Sequence, residues 1–239
     1  MQLWQIPLPD SEAQRRLPEN HAELQRRLQQ IADQHRDARF ASSLAAEDLV
    51  IHHALHGLNT NISVFSLETG RLNRETLELI ESVRSRYPNI PIKLYHPDAT
   101  EAAAYEREHG RDAFYHSLEL RRECCRIRKI APLNCALHGA DAWLTGQRRE
   151  QSATRTELPF AEHDSARGIA KYNPIYDWTE QDVWAYILAH DIPFNPLYHQ
   201  GYPSIGCEPC TLPVKAGDDI RAGRWWWEQR DSKECGLHK

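Results

Sequence analysis

Up to about His190 the chain alternates short apolar runs with longer stretches in which apolar residues recur every three or four positions. Leu24, Leu28 and Ile31 predict an amphipathic lead-in helix from Asn20 to about Arg36, after a break at Pro18. Ala38-Arg39-Phe40-Ala41 predicts a short strand, followed by the small-residue loop Ser42 to Asp48 and a helix running toward Leu58. The unit repeats with a strand at Ile62 to Ser66, a loop at Leu67 to Leu72 and a helix from Asn73 to Tyr87, and again with Ile92 to Tyr95 and Ala99 to His109. Ala142 to Gly146 predicts a further strand that releases a loop rich in arginine, and Ile169 to Ile175 another strand or extended segment. Val183, Trp184, Ile187 and Leu188 place a last helix over Trp178 to His190, with Thr179 as its cap.

This alternation predicts an α/β fold: a parallel sheet covered by helices, with the ligand crevice built from loops at the carboxyl ends of the strands. From Asp191 the texture changes. Pro193, Pro196, Pro203, Pro209 and Pro213 deny long regular elements, so a loop-rich lobe and tail (about 191–239) is expected to wrap a core spanning about 38–190 of a single domain.

Hydrophobic residues at 41% and charged residues at 26% of 239 fit a soluble globular protein. A net charge of -5 argues against a nucleic-acid coat, so any anion must be captured locally. Nothing resembles a signal peptide or a membrane span, which sets the expectation of a cytoplasmic protein with neither nucleic acid nor membrane as partner. In that compartment six cysteines are expected to be metal ligands, catalytic thiols or buried apolar residues rather than disulfides. The oligomeric state is not legible; a homo-oligomer is compatible with the sequence.

The most informative stretch is Gly206-Cys207-Glu208-Pro209-Cys210, two thiols at metal-ligand spacing that lack half a coordination shell. The best donor of the other half is the adjacent pair Cys124-Cys125, expected at the start of a helix, where neighbouring side chains diverge by only about a quarter turn. Four thiolates suit a structural zinc or an iron–sulfur cluster, and the tandem pair favours the cluster over zinc. Lys129, one turn beyond Cys125, is expected near such a cluster and an anionic ligand; its plainer role is a solvated helix face. Cys235 stands alone near the C-terminus, either an incidental thiol or an attacking nucleophile. Cys135, between Leu133 and Leu137, is expected to be a buried hydrophobe.

Three further stretches offer anion contacts. The Ser42-Ser43 loop is either a phosphate cradle at a helix N-terminus or a self-satisfied helix start. Arg148, Arg149 and Arg155, with Ser152 and Thr154, offer planar forks for phosphate or sulfate. Arg221 and Arg224, three apart, are expected to clamp anions, and the following Trp225-Trp226-Trp227 to anchor the tail by packing.

Taken together, Cys124-Cys125 with Ile127-Arg128-Lys129, Cys207-Glu208-Pro209-Cys210, the arginine loop, Arg221 and Arg224 before three tryptophans, and Lys233-Glu234-Cys235-Gly236-Leu237-His238 resemble the assimilatory sulfonucleotide reductases, specifically the iron–sulfur adenylyl-sulfate reductases. The resemblance runs from Phe40 to His238. It implies an adenine nucleotide α-hydrolase-like fold related to the ATP pyrophosphatases, and one 4Fe-4S cluster on Cys124, Cys125, Cys207 and Cys210. The implied reaction is thioredoxin-dependent reduction of adenosine 5'-phosphosulfate to sulfite and AMP, in sulfate assimilation and cysteine biosynthesis. In it, Cys235 attacks sulfur and the resulting S-sulfocysteine is cleaved by thioredoxin or a glutaredoxin-like dithiol. Ser42, Ser43, Glu68, Thr69, Gly70, Lys129, Arg148, Arg149, Arg155, Arg221 and Arg224 are the implied substrate contacts. Leu67-Glu68-Thr69-Gly70 departs from the family's usual Leu-Asp-Thr-Gly, which puts the role of Glu68 in question. The alternatives are a reductase using the 3'-phosphorylated nucleotide or both nucleotides, an adenylating ATP pyrophosphatase and a zinc-stapled binding module. The pyrophosphatase cradle carries two glycines that Ser42 to Asp48 lacks.

Overall fold

The computed structural model describes residues 2–151 and 155–228, in which the alternating pattern becomes one six-stranded sheet. Its strands are β1 (Ala38–Ala41), β2 (Ser63–Leu67), β3 (Ile92–Tyr95), β4 (Ala142–Leu144), β5 (Ala161–Asp164) and β6 (Ile169–Tyr172). They lie in the order β3-β2-β1-β4-β6-β5, all parallel except β5, which pairs antiparallel with β6 along the edge. The chain steps outward from β1 to β3 and then returns to the other side of β1 with β4. That reversal opens a crevice at the carboxyl ends of β1 and β4, where ligands bind in sheets of this kind.

Helices α1 (Ser11–Gln34), α2 (Ala46–His56), α3 (Arg74–Arg86), α4 (Ala99–His109), α5 (Leu118–Cys125), α6 (Ala131–Leu137) and α7 (Glu180–Ala189) complete the layers. The main core runs from Leu24, Leu28 and Ile31 of α1 through Phe40, Val64 and Leu144 of the sheet to Val183, Trp184 and Ile187 of α7. Thr179 caps α7 in a reciprocal box with Asp182. Beyond α7 the described chain holds only 3-10 turns and irregular segments, as its prolines predict. No helix among the described residues is long and apolar enough to cross a membrane.

Two expectations are corrected. Pro18 does not delimit α1, which begins at Ser11 under an Asp10 cap whose side chain accepts from the Ala13 N–H at 2.7 Å. Arg16 Nη2 on Asp182 at 3.0 Å holds the first turns against α7, and the exposed Pro18 ring faces solvent, so one lost backbone bond does not end the helix. Cys135 is exposed on α6 rather than buried with Leu133 and Leu137, because the helix turns those two inward and Cys135 outward.

A histidine-rich seam joins α1, α2 and α7. His21 Nδ1 and His53 Nδ1 approach the Tyr186 hydroxyl at 2.9 and 3.0 Å, and the His53 and His190 rings lie 4.7 Å apart. His52 is fully buried beside Tyr87. Burial, reinforced by neighbouring histidines, lowers His52 and His53 to about 4. The unfolded chain therefore binds more protons than the folded one between about pH 6.5 and 4, and stability falls as pH drops through that window. One such histidine contributes a loss on the order of 2 kcal/mol between pH 7.5 and 5. We predict a lower urea midpoint at pH 5 than at pH 7.5, and a smaller difference in His52→Leu. An equal difference in the variant would show that His52 does not carry the effect.

Candidate active site

A cavity of about 260 Å³ sits over the β1 and β4 ends, somewhat below the ~300–1,000 Å³ usual for small-molecule sites. Its floor comes from strand ends and the loops they release, including Ser42, Ser66, Trp143, Thr145 and Gly146; its far wall comes from the C-terminal lobe through Ile205, Gly206 and Cys207. Of the residues singled out from the sequence, Ser42, Ser43, Thr69, Lys129, Arg155, Arg221, Arg224 and Cys207 line it.

The β1 loop is held by its own polar groups. Asp48 Oδ2 accepts from the Ser43 N–H and the Ser43 hydroxyl, both at 2.6 Å, while the Ser42 and Ser43 hydroxyls accept from the Leu44 and Ala45 N–H groups. The self-satisfied reading of this loop is thus realised, and the same loop still forms the cavity wall. Burial pushes the Asp48 carboxyl up to about 7 despite the Ser43 bonds. Gly146 closes against it: a Cβ there would stand 2.2 Å from Asp48 Oδ1. Asp48, Gly146 and Gln147 were not singled out from the sequence. The signal available was positional: two strand-end loops meeting at the chain reversal.

The arginine loop divides. Arg148 is 2% exposed, with Nη2 and Nε on Glu47 Oε1 at 2.8 and 3.1 Å and Nη1 on the Trp178 carbonyl, so its fork staples the loop to the start of α2 rather than facing the cavity. Arg149 stacks on the Tyr176 ring at 4.6 Å and donates to the Leu158 carbonyl, also away from the cavity. Arg155 lines it, braced by Gln151 at 2.7 Å. Ser152 and Thr154 lie outside the described residues, as does Cys235.

Glu68 and Gly70 serve the loop after β2. Glu68 Oε1 accepts from the Gly70 N–H at 2.7 Å and Oε2 meets His96 Nδ1 at 3.1 Å, so the carboxylate closes its own turn. Gly70 has φ +72°, a conformation natural to glycine, and Arg128 Nη1 donates to the Thr69 carbonyl at 2.9 Å. Neither Glu68 nor Gly70 lines the cavity.

Cys124 and Cys125 are not at a helix start. Ser117 caps α5 by accepting from the Leu120 N–H, and the pair closes that helix, which continues through a π-helical turn (Arg126–Ile130) into α6. Pro132 lacks the N–H for an ordinary helical bond and crowds the Arg128 carbonyl, which accounts for the bulge. Across from it, Cys207 pairs with Leu72, Glu208 N–H donates to the Arg71 carbonyl at 2.8 Å, and Asn73 Nδ2 donates to the Gly206 carbonyl at 3.2 Å. The C-x-x-C stretch is thereby fastened to the β2 loop, and Cys207, Cys210 and Cys124 pack together with Phe114 and Trp225.

The five described cysteines are free thiols. Burial, then Cys125, raises Cys124 to about 11; burial, then Cys207, raises Cys210 to about 12. Burial would raise Cys207 as well, but Lys129, the Thr69 hydroxyl 3.4 Å away, Arg224 and Arg128 outweigh it and hold this thiol below its ordinary value. Lys129 and Arg224 thus face both the thiols and the cavity, an arrangement that attracts an anion to the cysteine end. Among the described residues no three His, Cys, Asp or Glu side chains stand in the spacing of a single metal ion.

We predict that Gly146→Ala, by driving a methyl group into Asp48, weakens AMP binding at least about tenfold in calorimetry while leaving the far-ultraviolet circular dichroism unchanged; unaltered affinity would detach the cavity from nucleotide binding.

Comparison with known proteins agrees with this geometry. The phosphoadenosine phosphosulfate reductase domain matches residues 38–213. The chain is 63% identical over 237 residues to an adenosine 5'-phosphosulfate reductase of Neisseria meningitidis serogroup B, covering 99% of this chain and 96% of that one. It is 59% identical over 211 residues to one from Burkholderia cepacia, covering 88% and 84% respectively. A crystal structure of phosphoadenylyl-sulfate reductase from Candida auris, a phosphate complex, superposes with a TM-score of 0.70 at 25% identity, over 87% of this chain and all of that one. With three quarters of its length inside the domain and relatives this similar along nearly all of it, the chain belongs to the phosphoadenosine phosphosulfate reductase family.

Proposed function

We propose that this protein reduces adenosine 5'-phosphosulfate to sulfite and AMP in sulfate assimilation, in the cytoplasm, with thioredoxin or a glutaredoxin-like dithiol as reductant. The observation that carries the reading is the cavity: a nucleotide-type crevice that brings Lys129 and Arg224 beside Cys207, with Arg221 on the same lining. The bacterial relatives named for the unphosphorylated nucleotide are far more similar than the fungal enzyme named for the 3'-phosphorylated one, which remains the second reading.

The chemistry follows from the residues. Lys129, Arg221 and Arg224 balance the phosphosulfate oxygens, and the loops at Ser42 to Asp48 and Thr145 to Gln147 seat the nucleoside. The Cys235 thiolate supplies its electron pair to sulfur, the bond from sulfur to the phosphate oxygen breaks, and AMP leaves with that pair. A dithiol thiolate then attacks Cys235 Sγ. Sulfite departs with the electron pair of the S–S bond, Cys235 is left in a mixed disulfide, and the second thiol of the reductant releases it as a thiol while becoming a disulfide. Two electrons thus pass from the dithiol to sulfur.

Cys124, Cys125, Cys207 and Cys210 would hold one 4Fe-4S cluster. Cys125, Cys207 and Cys210 are buried and Cys124 half-buried, and Cys124, Cys207 and Cys210 pack together and share Lys129 as a cationic neighbour. Four thiols suit an iron–sulfur group, whose charge when bound would tune the field at the anion end of the cavity.

With adenosine 5'-phosphosulfate labelled at sulfur, the label is expected to accumulate on Cys235 without reductant and to leave as sulfite when thioredoxin is added. Cys235→Ser is expected to retain its iron and trap no label. Trapping by the variant, or sulfite release without a labelled protein, would reject the mechanism. Faster labelling by the 3'-phosphorylated nucleotide would establish the second reading.

A further inference from the structure

Arg121 lies one turn before Cys125 on α5 and is 1% exposed. Its Nε and Nη2 donate to Glu228 Oε1 and Oε2 at 2.8 and 2.9 Å, a two-pronged pair whose carboxylate is itself only 7% exposed. The guanidinium also lies 4.8 Å from the centre of the Trp225 ring. Trp225 is held in turn: its N–H donates to the Cys210 carbonyl at 3.0 Å, its backbone is forced to φ +41°, and its carbonyl accepts from the Glu228 N–H at 2.8 Å. The segment from Trp225 to Glu228 is therefore gripped by both cysteine-bearing segments, the first through the Arg121 side chain and the second through the backbone of Cys210. A fully buried ion pair is a poor device for stability alone, since apolar packing serves as well or better; its geometry fixes direction.

We infer that Arg121 is a positioning residue, which by holding Glu228 fixes the point from which the C-terminal tail departs and so places Cys235 for attack. This rests on Cys235 being the nucleophile. Cys235 follows Glu228 by seven positions, giving a reach of at most about 25 Å. With the pair broken the last anchored side chain is Trp227, packed on Phe114 and Tyr115 at 6.1 and 4.4 Å between ring centres. The tether then gains one residue and reaches about 29 Å, and the fixed direction of departure that aligns the thiol is lost. Misplacement of this kind costs one to two orders of magnitude in rate.

The test uses the iron-loaded enzyme carrying Glu228→Gln, which keeps size and one acceptor, or Arg121→Lys, which keeps charge but not the fork. Single-turnover release of AMP is expected to slow about tenfold or more in Glu228→Gln and less in Arg121→Lys, with iron content and substrate KM within twofold of the parent. Tryptic cleavage after Arg230 is expected to quicken in both. Arg121 also hydrogen-bonds Cys125, so Glu228→Gln isolates the pair, and Arg121→Lys combined with Glu228→Gln, compared per bound iron, should be no slower than Glu228→Gln alone. Unchanged single-turnover rates, or slowing that tracks lost iron or a raised KM, would overturn the inference. Should the parent enzyme itself form no adduct on Cys235, it is the proposed function that fails, which separates the two.

Discussion

The site depends on the docking of the C-x-x-C stretch onto the loop after β2. Three contacts make that joint: the pairing of Cys207 with Leu72, the Glu208 N–H on the Arg71 carbonyl, and Asn73 on the Gly206 carbonyl. From the other side Arg128, three residues beyond Cys125, donates to the carbonyl of Thr69. One short loop is thus the common support of both cysteine segments. The lobe, without strands or long helices, is seated on the core by Ile192 and Tyr198, and that loop fastens its cysteine end.

This joint explains why charge at the site is local while the protein is net acidic. Lys129 and Arg224 lie at the boundary between thiols and cavity, whereas Arg148, a residue of the same type on a strand-end loop, is consumed by Glu47. A buried guanidinium must be paired, and a carboxylate fixed at the start of α2 takes it. Two of the cations that line the cavity show other surroundings: Lys129 lies beside the thiols, and Arg155 is braced by the Gln151 side chain. Arg224 donates to the Ser204 hydroxyl and the Ile205 carbonyl at 3.4 and 3.3 Å.

Much of the frame was legible in the sequence because its signals are local. Ala38–Ala41, Ile92–Tyr95 and Ala99–His109 fall where short apolar runs and turn residues place them. The edge strand Ala161–Asp164 was not read, since its alternation is mostly polar and it pairs with β6 alone. Pro18 misled because a proline on the solvent side of an anchored helix costs one bond, a tertiary fact. At the site, the cysteine spacing and the tail arginines were legible by residue type. Which member of the arginine loop reaches the cavity was not, because that is decided by Glu47, Tyr176 and Gln151, partners far apart in the chain or chosen by the fold.

The central claim is that two cysteine segments, far apart in sequence, meet at the anion end of a nucleotide cavity and hold one cluster there. Iron and acid-labile sulfide analysis of the anaerobically purified protein, beside Cys207→Ser, tests it most directly. The account predicts about four irons and four sulfides per chain in the parent with broad visible absorption, all lost in the variant. A single stoichiometric zinc and no visible absorption in the parent would contradict it.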